Sequence, residues 1–107
     1  MKIPVEYQQF GQTIKVVFKD DLIAREDAEG LCVYKNNIIT LQNLKVLNRP
    51  ASQLEQTFIH EVLHHALELL GYEKEGKDEQ FIDRLAGLLH QMVVTSKYYD
   101  HSNDNKA

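Results

Sequence analysis

"FIHEVLHHALELLGYEKEGKDEQFID", residues 58–83, decides how the second half of the chain folds and what it can hold. Phe58, Ile59, Val62, Leu63, Ala66, Leu67 and Leu70 recur at helical spacing, so on a helix they make one apolar arc. Thr57, His60, Glu61, His64 and Glu68 take the rest of the circumference. A helix turns about 100° per residue, which brings His60 and His64 one turn apart and within about 40° of each other. Two imidazoles so placed can meet one metal ion. Glu61 lies about 100° round from His60, where its carboxylate can take a proton from an attacking water without being a ligand. His60 borders the apolar arc beside Leu67, so packing can fix the ligands on one side while a cleft admits substrate on the other.

The bounds of this helix are also legible. Ser52 followed by Glu55 reads as a capping box, which predicts a helix over 51–70, and Gly71 supplies a left-handed stop. A polar turn through Gly76 leads to a second amphipathic helix over 78–97, which carries Gly87 in its interior. On it Phe81, Ile82, Leu85, Leu88, Leu89, Met92 and Val93 form the expected packing arc, with Glu79, Asp83, Ala86 and His90 as a stripe along its edge. When the two helices pack, that stripe can face His60 and His64.

A catalytic zinc ion has three protein ligands and leaves a fourth position to water. Glu79, nearest the connecting turn, is the choice for the third ligand. Asp83, one turn on, suits the free ring nitrogen of a ligating histidine. His90 lies eleven residues beyond Glu79, about 16 Å along a helix, so the two cannot bind one ion, and His90 stands as the alternative. Glu68, one turn after His64, is a further alternative that would have to curl back along its own helix. The plainer roles are a first-turn carboxylate at a helix amino end for Glu79 and an ion pair with Arg84 or Lys77 for Asp83. His65 points about 100° away from His64 and reads as a bystander, as does His101 in the tail.

The first half reads as strands. Within "QTIKVVF", residues 12–18, Ile14, Val16 and Phe18 alternate with Thr13, Lys15 and Val17, the pattern of a half-buried strand. Residues 5–7 add a short edge strand after Pro4. "GLCVYKNNIITLQN", residues 30–43, predicts a hairpin over 30–42 that turns at Lys35-Asn36-Asn37, since Asn tolerates positive φ. Residues 19–29 form an acidic loop. The expected fold is α+β: a small antiparallel sheet of about three strands packed on two helices. One domain over 1–107 with a polar tail from about 99 fits the length.

A formal charge of −4 and a pI near 5.7 argue against a nucleic-acid partner, which usually leaves a basic patch. The lone Cys32 cannot make an intrachain disulfide and reads as a small core residue, so a reducing, cytoplasmic setting is expected. No run approaches the roughly 20 apolar residues that span a bilayer, and the amino end lacks a signal-peptide core.

"HEVLH" at 60–64, followed by "EQFID" at 79–83, resembles the gluzincin pattern, in which a glutamate ligand and an acidic residue four positions later follow the motif helix. Residues 30–97 are similar to a small zincin-like metallopeptidase of the ImmA/IrrE-like kind found in bacterial, prophage and phage genomes. The resemblance implies zinc held by His60, His64 and Glu79, Glu61 as general base and Asp83 behind a ligand. The gap of fourteen residues between His64 and Glu79 is shorter than in the larger gluzincins and requires a tight turn. The implied function is a zinc-dependent metallopeptidase whose peptide or protein substrate lies along the sheet edge near Gly30 to Tyr34. The rivals are a zinc-containing regulatory or interaction protein and a metal-free helical interaction domain. A His, His, carboxylate set also accepts other divalent ions.

Overall fold

The computed structural model describes residues 1–47 and 49–100, except for the side chain of Val46, and His101 and the rest of the tail lie outside that range. In chain order the elements are β1 (Glu6–Gln9), β2 (Gln12–Lys19), α1 (Leu22–Glu26), β3 (Gly30–Val33), β4 (Ile38–Gln42), α2 (Ala51–Leu69), α3 (Glu73–Gly76) and α4 (Glu79–Thr95), with single 3-10 turns at Tyr34–Asn36 and Leu44–Val46. The architecture is α+β, a four-stranded sheet packed on helices.

Strand order is β1-β2-β4-β3. The β1–β2 and β3–β4 pairs are antiparallel, but β2 and β4 run parallel, Lys15 opposite Ile38 and Lys19 opposite Gln42. The sheet is mostly antiparallel, in keeping with the expected small antiparallel sheet on helices, and has four strands with one parallel pair at its centre. The hairpin is inserted with β4 inward because β4 has the longest buried run, Ile39 to Gln42, and a central strand must satisfy both edges and both faces. Gln42 tolerates burial because its amide accepts from Ile23 N at 2.8 Å and donates to Asp20 O at 2.6 Å. Those bonds tie the sheet to α1, a short helix where a plain loop was expected. The turn within 30–42 closes where predicted, with Asn37 at φ 54°.

Ile14, Val16, Ile39 and Leu41 from the sheet meet Phe58 and Ile59 of α2 and Ala86 of α4 in one core. Ile82 is also fully buried, and truncating such a residue to alanine costs about 2–5 kcal/mol. Phe81, Leu88 and Met92, expected in the packing arc, are exposed instead. Ile82, Ala86 and Leu89 face the core, so the contact is shifted from the expected arc toward its edge stripe. That rotation carries Glu79 and Asp83 toward α2.

The capping box is not formed. Pro50 occupies the cap of α2 without a side-chain bond, and Glu55 Oε1 accepts from His90 Nε2 at 2.8 Å. A charged acceptor gains more from an imidazole than from an amide that water can reach. The stop at Gly71 is borne out, with φ 82°. Asp78, not foreseen as a cap, accepts from Phe81 N and opens α4. Among the described residues no helix is long and apolar enough to cross a membrane.

Candidate metal centre

His60 and His64 stand on consecutive turns of α2 with their Nε2 atoms 3.0 Å apart. Glu79, the first residue of α4, reaches across so that Oε2 lies 3.1 Å from His60 Nε2 and Oε1 lies 3.0 Å from His64 Nε2. Ligand atoms at about 2.0–2.1 Å from a tetrahedral zinc ion are separated by about 3.3 Å. The three side chains therefore have near the right spacing to share one small ion.

The opposite ring nitrogens fix the chemistry. His64 Nδ1 lies 2.6 Å from the Gly76 carbonyl oxygen, which can only accept, so Nδ1 carries the hydrogen. His60 Nδ1 lies 2.7 Å from Asp83 Oδ1 and donates in the same way. In the neutral rings both Nε2 atoms are then bare lone pairs. Two such lone pairs and a carboxylate facing one point repel one another unless a cation lies between them. The donor set fits a divalent metal of the zinc class.

The short connection makes this possible. The fourteen residues between His64 and Glu79 include α3, which packs on the end of α2. A Cβ at Gly76 would lie 3.3 Å from Leu67 Cβ and 3.9 Å from the His64 carbonyl oxygen. Glycine thus lets α3 lie close enough for its last carbonyl to reach His64. In the sequence Gly76 reads only as a turn residue, because a backbone acceptor leaves no mark in side-chain spacing.

Glu61 is 7% exposed, borders the same cluster as His60 and His64, and makes no hydrogen bond to the described residues. Burial raises its pKa above the ordinary carboxylate value, the positive potential of His60 and His64 opposes that shift, and Glu79 adds to it. Gly30, the first residue of the edge strand β3, packs directly on this carboxylate's stem. A Cβ there would come within 2.8 Å of Thr57 Cγ2 and 3.0 Å of Glu61 Cγ. Beside Glu61 a cavity of about 560 Å³ opens between the start of β3 and the early turns of α2.

Of the other candidates, His90 is held by Glu55, away from the His60 and His64 pair. Glu68 belongs to neither group of converging ligand atoms found among the described residues. His65, 1% exposed, bonds through Nε2 to Asn37 Oδ1 at 3.0 Å and pins the hairpin turn to α2. Burial pushes the Cys32 thiol up to about 12 and Glu61 and Glu68 add to that, so Cys32 is an unreactive thiol at neutral pH.

An α+β fold in which a helix carries two histidines and a neighbouring helix a facing glutamate is that of a zincin-like domain. The SprT-like family model matches residues 5–100, and the chain belongs to that family, which is related to zinc metallopeptidases. No curated protein and no solved structure matches the chain.

Proposed function

We propose that the protein is a zinc-dependent peptidase in which His60, His64 and Glu79 hold the ion and Glu61 is the general base. The observation that carries this reading is the convergence of His60 Nε2, His64 Nε2 and the Glu79 carboxylate at 3.0–3.1 Å, where neutral rings that donate through Nδ1 place no hydrogen. A zinc ion held by these residues would supply Lewis-acid chemistry, lowering the pKa of an attacking water and polarising the scissile carbonyl. The family membership supports metal chemistry of this kind. The order of hairpin, motif helix and ligand helix, which also resembles that of ImmA/IrrE-like peptidases, supports it further.

The chain's own groups do the remaining work. Asp83 and the Gly76 carbonyl hold the two imidazoles in the tautomer that frees Nε2, which also raises their basicity as ligands. Glu61 accepts the proton of the attacking water and delivers it to the leaving amine. Its raised pKa suits both halves of that exchange, since a carboxylate that is too acidic accepts a proton poorly. The peptide lies along β3, whose outer edge is unpaired in the sheet, because main-chain pairing orients a peptide without demanding its sequence.

A second reading is a zinc-containing regulatory or interaction protein with little catalysis. The exposure of Glu79 and Asp83, 66% and 69% for their side chains, favours it, since the described residues build no wall on this side to exclude water. Glu61→Gln separates the two. A peptidase keeps its zinc and loses cleavage of a fluorogenic peptide mixture, whereas parent-like turnover by the variant overturns the catalytic reading.

A further inference from the structure

We propose that the cavity beside Glu61 is a subsite for a cationic substrate side chain, lysine or arginine, close to the scissile bond. This rests on the peptidase reading. The cavity, about 560 Å³, is within the size range of pockets that hold small ligands and exceeds what one aliphatic side chain would fill. It lies where β3 begins, against the face of α2 that presents His60 and Glu61. Side chains of a peptide paired to β3 alternate in direction, so every second one is directed toward α2 and the residue alongside Gly30 enters the cavity.

The lining is polar throughout. Glu29, Glu61 and Asp83 contribute carboxylates, and apart from Gly30 and His60 the remainder are amides and hydroxyls, with no lysine, arginine or apolar side chain. Each carboxylate has capacity left for a ligand. Glu61 is more than nine-tenths buried, borders the cavity and has no hydrogen-bond partner among the described residues. Glu29 accepts from Arg49 and Gln53 through Oε1, leaving Oε2 without a hydrogen-bond partner among the described residues. Asp83 gives Oδ1 to His60 and leaves Oδ2.

Charge decides between occupants. Glu29, Glu61, Glu79 and Asp83 outnumber a divalent ion plus Arg49 by one negative charge, so an acidic side chain is repelled. An apolar one would strand acceptors that water otherwise satisfies, at the cost that attends any buried unpaired polar group. A lysine or arginine supplies three or five donors and the missing charge.

The test uses the full chain loaded with zinc and a mixture of unstructured peptides, with the products read by mass spectrometry. Lysine or arginine should be enriched at one fixed position within two residues of the cleaved bond. A matched pair of peptides carrying lysine or norleucine at that position should then differ about tenfold or more in kcat/KM. The ratio should collapse toward one in Glu29→Gln and fall below one for Gln56→Lys, which adds a positive charge while leaving the bonds of Glu29 in place. Cleavage with a ratio near one, or a ratio that neither variant moves while zinc content is kept, overturns the subsite and leaves the peptidase reading intact. If no peptide is cleaved, the peptidase reading falls and takes the subsite with it.

Discussion

Two clusters of histidine and carboxylate join α2 to α4 among the described residues, alike in composition but different in where their hydrogens lie. At one, His90 Nε2 meets Glu55 Oε1 at 2.8 Å, one ring and one carboxylate that complete each other. At the other, Glu79 faces two rings whose hydrogens are already committed to Asp83 and Gly76. The first pair needs nothing more. The second brings two ring nitrogens and a carboxylate to one point, where with both rings neutral a divalent cation would satisfy all three. What distinguishes the candidate metal site is acceptors that lack a hydrogen in the neutral rings, and not the nearness of histidine to carboxylate.

That contrast can be broken most severely at Glu61. Glu61→Gln should lower kcat/KM by about 10²–10⁴-fold, the usual worth of a positioned general base, with zinc content unchanged in elemental analysis. Asp83→Asn should weaken zinc by about 10–100-fold in a competition titration, the scale for groups that orient a ligating histidine, and His90→Ala should not move it. Gly30→Ala should cost about 1–3 kcal/mol in chemical denaturation, the range for overpacking, because its Cβ would strike Thr57 and the Glu61 stem. Activity should fall with stability in that variant while zinc stays bound.

The smallest effect belongs to the completed pair. The hydrogen bond from His90 holds the Glu55 carboxyl below its ordinary value, with desolvation acting against it. A carboxyl lowered on folding stabilises the folded state above its ordinary pKa and loses that contribution as pH falls through the lowered one. Glu55→Gln should therefore reduce Tm at pH 7 by more than it does near pH 3, and the two melting curves should draw together on acidification.

The helices were the most legible part of the fold. Residues 51–70 and 78–97 were expected and Ala51–Leu69 and Glu79–Thr95 are found, because an apolar period sustained over four or five turns leaves a strong signal. Strand order was not legible, since an alternating pattern fixes which face of a strand is buried and says nothing about its neighbours. The central place of β4 is visible only in the burial of Ile39 to Gln42 in the folded chain. The helices α1 and α3, five and four residues long, are too short for a periodic signal. At the site, spacing pairs His60 with His64 and Glu79 with Asp83 on their own helices but leaves His90 and Glu68 as alternatives to Glu79, and the Gly76 carbonyl and the close approach at Gly30 depend on backbone placement that side-chain patterns do not encode.

The comparison between the two histidine and carboxylate contacts is tested most directly by zinc stoichiometry in untagged protein purified without added metal. Near one zinc per chain is expected for the parent and for His90→Ala, and close to none for the His60→Ala, His64→Ala double variant. A parent without zinc after equilibration with the ion, or a double variant that retains as much as the parent, would contradict the account.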